Sequence, residues 1–152
     1  MHYNFCPVLR TFPPSYREFL KVSNGLRPKI YCGLYFYTVE EIDWYALDEQ
    51  DWIDALIESN KDFSVMDEEY FIYGDEQDKE NIRPEYLQTA LDISSREEGC
   101  LYLLNPQIIT VDGEWEAWTC DFSSAFGISR YRSFDEMMNM IFNIELEMLI
   151  WS

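Results

Sequence analysis

Positive charge, histidine and glycine are all scarce in this 152-residue chain. Lys and Arg number 11 against 29 Asp and Glu, a formal net charge of −18 at pH 7. A field of that sign repels phosphates and argues against direct binding to nucleic acid or to an anionic membrane. The one histidine, His2, lies at the terminus, whereas nucleophilic serine or cysteine catalysis most often uses a positioned imidazole as its base. With six glycines, and neither Gly-x-x-x-x-Gly-Lys nor Gly-x-Gly-x-x-Gly, no loop is built to cradle phosphates. Long apolar runs are missing as well. The longest tract, Met137 to Trp151, is interrupted by Asn139, Asn143, Glu145 and Glu147 and is too short and polar to span a bilayer. Met1 to Phe12 has no basic region followed by an apolar run, so it is no secretory signal. The expected compartment is the cytoplasm.

Cysteine is sparse in pattern rather than in number. Cys6, Cys32, Cys100 and Cys120 contain no Cys-x-x-Cys pair. A zinc site needs clustered Cys and His, and nothing indicates an oxidising compartment, so plain buried thiols are expected, with no metal and no cofactor.

What is abundant is apolar and aromatic surface, 47% and 17% of residues, enough to offset chain entropy and rule out disorder. Charge is uneven along the chain. Residues 1–38 carry five bases and one acid, residues 39–98 carry 20 acids and 4 bases, and residues 99–152 carry 8 acids and 2 bases. No repeat, linker or composition break divides the chain, and a single domain over 1–152 is expected.

Pro13 and Pro14 suit a first helical turn, Tyr16, Phe19 and Leu20 share one face, and Asn24-Gly25 supplies a stop. A strand is predicted over Ile30 to Tyr37. Thr38-Val39-Glu40-Glu41 is a capping box that predicts a second helix, continuing through Trp52, Ile53, Leu56 and Ile57. Tyr70 to Tyr73 has the pattern of a short strand, and Pro84 starts a brief helix carrying Tyr86, Leu87 and Ala90. Strands are predicted at Cys100–Leu104, Gln107–Val111 and Glu114–Phe122, separated by the turn formers Asn105-Pro106 and Asp112-Gly113. Ser133-Phe134-Asp135-Glu136 opens a last helix with Phe134, Met137, Met138, Ile141, Ile144 and Met148 on one face. The order predicts an α+β domain, a mainly antiparallel sheet flanked by helices.

No nucleophile–base constellation is visible. Glu114 and Glu116 can be nominated as a hydrolase pair, since i and i+2 on a strand share a side. A solvated strand face is the plainer account in so acidic a chain. Asp75-Glu76-Gln77-Asp78-Lys79-Glu80 lacks the calcium-loop pattern and is expected as an exposed loop, serving solubility or a basic partner. Trp115 and Trp118, three apart on a strand, point to opposite faces, so at least one is expected to be partly exposed, as an interface anchor or as a cap on a small core. Arg130 and Arg132, flanking Tyr131, are expected to balance charge near the last helix.

Phe12-Pro13-Pro14-Ser15-Tyr16-Arg17-Glu18-Phe19-Leu20, followed by Asn24-Gly25, resembles the opening signature of the SUKH superfamily, with Phe12 in place of a leucine. That superfamily contains yeast cell-wall-assembly regulators and bacterial toxin-immunity proteins. Gly99 to Pro106 is similar to its central strand. Glu114-Trp115-Glu116-Ala117-Trp118, with Gly127 and Arg130-Tyr131-Arg132-Ser133-Phe134, is similar to its closing strand and last helix. The likeness runs over about 12–138. Family members usually carry a helix ahead of this opening, and eleven residues precede Phe12 here, which implies either a reduced first layer or a shortened start.

The resemblance implies a SUKH-like fold and a non-catalytic protein-binding module with no catalytic residues to carry over. It implies an immunity protein neutralising a cognate polymorphic toxin, a basic one such as a nuclease, or alternatively a regulatory or scaffold domain of the cell-wall-assembly type binding a host protein. The partner surface is expected on Glu40, Glu41, Asp43, Asp48, Glu49, Asp51, Asp75, Glu76 and Asp78, with Trp115 and Trp118.

Overall fold

A computed structural model describes residues 12–26, 35–95, 100–122 and 126–151. Helix α1 (Pro14–Ser23) starts at its proline, where the missing N–H is one that no helix bonds internally. It ends at Asn24, which takes left-handed dihedrals (φ 41°, ψ 58°) and returns its N–H to the Leu20 carbonyl. Gly25 follows at φ 100°, with its α-carbon held against the main chain of Phe36 to Thr38. Most of the strand predicted over Ile30 to Tyr37 lies outside the described residues. Its described end forms single bridges from Phe36 to Leu26 and to Ser94.

The capping box at Thr38 is half realised. Glu41 Oε1 accepts from the Thr38 amide at 3.0 Å, yet residues 39–41 make only a turn. The chain extends instead, because Ile42 is drawn into a core and β1 (Asp43–Trp44) pairs with β2 (Leu91–Asp92). Sheet pairing overrides the local capping preference here. Helix α2 (Ala46–Ser59) begins only after that strand and buries Ile53 and Leu56.

The strand predicted at Tyr70–Tyr73 is replaced by a short helix, α3 (Asp67–Tyr70), and a turn of 3₁₀ helix at Gly74–Glu76. Residues three apart share a side on a turn but face opposite ways on a strand, and both hydroxyls, Tyr70 and Tyr73, reach one carboxylate, Glu116. Pro84–Thr89 is the brief 3₁₀ helix expected there.

Strand β3 (Cys100–Ile109) passes through Asn105-Pro106 without turning and takes up an irregularity between Asn105 and Ile109, a place where a proline fits within a ladder. The Asp112-Gly113 turn forms, with Gly113 at φ 84°, and leads into β4 (Trp115–Asp121) and β5 (Gly127–Tyr131). Helix α4 (Phe134–Trp151) is capped by Ser133 Oγ, which accepts from the Glu136 amide at 3.0 Å. Ile144, predicted on its buried face, is exposed.

The five strands lie in the order β1-β2-β3-β4-β5, each antiparallel to the next. One face is covered by α1 and α4 around Tyr16, Leu20, Tyr102, Leu104, Trp115, Phe134 and Met137. The other is covered by α2 and the Pro84–Thr89 turn around Ile53, Leu56, Leu87, Leu101, Leu103, Trp118 and Ile128. Leu101 to Leu104 therefore alternate between two cores, which is why β3 has an unbroken apolar run rather than an apolar–polar alternation. The result is an α+β domain with an antiparallel sheet between two helical layers. Among the described residues no helix is long and apolar enough to cross a membrane.

Candidate partner-binding surface

Burial on both faces corrects one expectation at once. Trp115 and Trp118 do point to opposite faces, but neither is exposed: they are 8% and 1% accessible, one in each core. Neither indole is available to anchor a partner.

Glu114 and Glu116 also part company. The Glu114 carboxylate accepts from the Ser15 amide and from Ser15 Oγ, both at 2.9 Å, so it caps the open N-terminus of α1 from another part of the chain. Glu116 is 1% accessible rather than solvated. Its oxygens accept from the Tyr70 hydroxyl and the Tyr73 hydroxyl at 2.5 Å, the Trp118 indole N–H at 2.7 Å and the Asn105 amide at 3.2 Å. Four donors converge on one carboxylate, and both groups are committed to holding the fold. Burial, followed by the neighbouring Glu116 charge, pushes the Tyr70 phenol far above its ordinary range. For Tyr73 burial again leads, followed by its hydrogen bond to Glu116.

Arg130, expected to balance charge near α4, is 1% accessible. Its guanidinium donates to the carbonyls of Tyr70 at 2.9 Å, Asn81 at 3.0 Å and Asp78 at 3.5 Å. It lies 4.5 Å from the centre of the Tyr70 ring, and Arg83 lies 4.4 Å from the same ring centre. Arg83 in turn donates to the Val65 carbonyl and to Asp67. Arg132 does take the expected role, pairing with Glu136 at 3.2 Å.

These contacts pin the segment from Val65 to Arg83 along the outer edge of β5. The Gln77 side-chain amide accepts from the Arg130 N–H at 2.6 Å and donates to the Arg130 carbonyl at 3.1 Å, as a neighbouring strand would. The Lys79 carbonyl accepts from the Ile128 amide at 3.0 Å. Gly127 permits this approach, since a β-carbon there would stand 3.2 Å from Lys79 Cβ. The loop thus covers an edge that would otherwise offer unpaired amides to another chain.

With its main chain fixed inward, this loop turns its acids outward. Asp75, Glu76, Asp78 and Glu80 are exposed, together with Asp67, Glu68 and Glu69, which the sequence reading did not single out. Three consecutive acids at 67–69 were the available signal. The anchors Arg130, Gln77 and Arg83 gave none, because an arginine or glutamine bound for the interior looks the same in sequence as one bound for water.

The other proposed acids lie elsewhere. Glu40, Glu41 and Asp43 are exposed at β1, the opposite edge of the sheet. Four strand spacings put that edge about 19 Å from β5. Glu41 is also held by Thr38, and Asp43 caps the Trp44 amide. Asp48, Glu49 and Asp51 ride on α2, which starts beside β1 and carries Trp52 to rings flanking β4 and β5. Asp48 and Asp51 are exposed and Glu49 is half-buried. The acids therefore form two edge groups bridged by a helix rather than one patch. Among the described residues, no cluster of three or more His, Cys, Asp or Glu is placed to hold a metal ion.

Fold and surface together define a small α+β domain whose polar interior serves to fix an acidic loop, with no reactive pair assembled among the groups nominated for chemistry. The model of the SMI1 / KNR4 family (SUKH-1) matches residues 9–140, and the chain belongs to that family. Its members are generally non-catalytic. No curated protein and no solved structure matches the chain.

Proposed function

We infer that the chain is a non-catalytic protein-binding module, an immunity protein that neutralises a cognate basic toxin, such as a nuclease, by direct binding through its acidic surface. The observation that carries this reading is the pinned loop. Seven exposed carboxylates between Asp67 and Glu80 sit on a main chain held by Arg130, Gln77 and Arg83. Charges ordered before the partner arrives spare the complex the entropy of ordering them. An acidic field also speeds encounter with a basic protein and repels acidic competitors.

An inhibitor acts by occupancy, so complementarity and slow dissociation suffice. A standard interface takes about 800 Å² from each partner, roughly 30 Å across, wide enough to engage both acidic edges along α2.

The test has two parts. Co-expression with its cognate toxin protects cells, and association slows at least about tenfold between low and high salt. Charge reversal at Asp75, Glu76 and Asp78 together with Glu40 and Glu41 weakens binding. Unchanged affinity in that variant places the interface elsewhere. Capture of a host cell-wall or signalling protein without toxin protection favours the regulator role of the same family instead.

A further inference from the structure

Four large apolar side chains stand exposed within residues 63–72: Phe63 is 76% accessible, Met66 62%, Phe71 41% and Ile72 40%. Exposed apolar residues scattered singly are ordinary, but these share one support. The Arg83 guanidinium donates to the Val65 carbonyl at 2.8 Å and to Asp67 at 2.6 Å, so Met66 is held between two tethered neighbours. The same guanidinium lies 5.7 Å from the centre of the Phe71 ring and lines a hollow with Phe63, Val65 and Tyr86. Helix α3 is a single turn, which sets Met66 and Phe71, at its two ends, about 8 Å apart along the axis. Tyr70 takes the inward position of that turn and is fully buried, leaving Met66 and Phe71 in water. Acids flank the four along the chain. Every acid from Glu58 to Glu76 is exposed, and the one base in that stretch, Lys61, is paired with Glu58 at 2.6 Å.

We propose that Phe63, Met66, Phe71 and Ile72 are the apolar centre of the partner interface and take a basic amphipathic segment of the partner protein, its apolar side chains on these four and its lysines and arginines on the acids around them. The proposal deepens the partner-binding reading and rests on it. Interfaces are enriched in aromatic residues and methionine, with charge kept to a polar rim, and residues 58–76 have that composition. The acids speed encounter with a basic protein and reject an acidic one, whereas burial of the apolar centre slows dissociation. Because the main chain beneath is tethered through Arg83, little ordering is needed on binding. A second copy of this chain is a poor occupant, since it would set the same acids against each other. The four residues also supply the exposed anchors that the buried Trp115 and Trp118 cannot.

The test is an NMR titration of the full chain with a short amphipathic peptide of leucine and lysine, against the same peptide with serine for leucine and with glutamate for lysine. The Phe63 and Phe71 ring signals and the Met66 methyl signal shift and saturate with the leucine–lysine peptide. The serine–lysine peptide binds at least about tenfold more weakly, and the leucine–glutamate peptide does not bind. Phe63→Ser combined with Met66→Ser, at positions too exposed to carry the fold, weakens the leucine–lysine peptide by about tenfold and leaves the urea midpoint in place. Equal affinity for the two lysine peptides, or a double variant that binds as the parent does, overturns the proposal. Concentration-dependent dimerisation that the double variant abolishes overturns it too, and assigns the patch to a second copy. Tight association with a basic toxin that the double variant leaves untouched overturns the patch while upholding the acidic-surface reading. Capture of the leucine–lysine peptide at Met66 in a chain that protects against no toxin upholds the patch and overturns immunity.

Discussion

Replacing Arg130 with methionine tests whether a buried cation holds the acidic loop in place. The substitution keeps an unbranched stem, ends it two atoms short of the guanidinium nitrogens and removes the charge. Two carbonyls, Tyr70 and Asn81, lose a charged donor at 2.9 and 3.0 Å, and each such bond is worth about 1.5–3 kcal/mol. Stacking on Tyr70 adds about 0.5–2 kcal/mol. Against these stand two gains. The guanidinium no longer has to be desolvated, and its Nε–H, which has no acceptor, is gone. The net expectation is a loss of about 2–4 kcal/mol. With a urea dependence of about 2 kcal/mol per molar, mid-range for small domains, the unfolding midpoint falls by roughly 1–2 M. Circular dichroism in urea measures it. Native-state hydrogen exchange locates it, because the Ile128 and Arg130 amides lose protection as Lys79 and Gln77 drift from β5. A midpoint within about 0.3 M of the parent refutes the assignment of Arg130 as the anchor.

Other outcomes follow from the same geometry. Gly25→Ala forces a side chain into φ 100° and places its β-carbon 2.9 Å from the Phe36 carbonyl oxygen. A destabilisation of at least about 2 kcal/mol in thermal melting is expected, and a loss below half of that contradicts the close approach. Alkaline stability follows from Tyr16, Tyr70 and Tyr73, whose phenols are raised far above the ordinary value, first by burial. Unfolded tyrosines release their protons above about pH 10 while these three keep theirs, so their contribution is full below that pH and is lost as pH climbs beyond it. Phenolate absorbance from these residues should appear only with unfolding, and its appearance in the folded chain counts against their burial. Burial also pushes the Cys120 thiol up. Ellman's reagent should leave Cys120 unmodified in the native protein and label it in urea, and rapid native labelling is the contrary result.

Much of the fold was written in local pattern. Pro14 and Asn24-Gly25 bound α1, Asp112-Gly113 turns β3 into β4, and Ser133 caps α4, because each is settled by the dihedral preference or side-chain reach of one or two residues. Family membership was legible for the same reason, since the ordered Pro, Tyr, Phe-Leu and Asn-Gly positions are these local devices in series. The acidity of the surface was likewise a matter of composition.

Three features waited on tertiary structure. Thr38 carries the signature of a helix start, but pairing of Asp43–Trp44 with β2 outweighs it. Tyr70 to Tyr73 suits a strand until both hydroxyls are required at Glu116, which a helix ending at Tyr70 and a turn at Phe71 supply. Glu116 and Arg130 are charged residues in a chain full of surface charge, and only the packing of the Val65–Arg83 segment over the sheet takes them out of water. Burial is a collective outcome of packing, so no residue's neighbours along the chain can announce it. The same holds for the acidic surface. Its charge was countable from the sequence, but its division between two sheet edges, and the anchoring of one half to β5, depend on strand order, which contacts between distant residues alone decide.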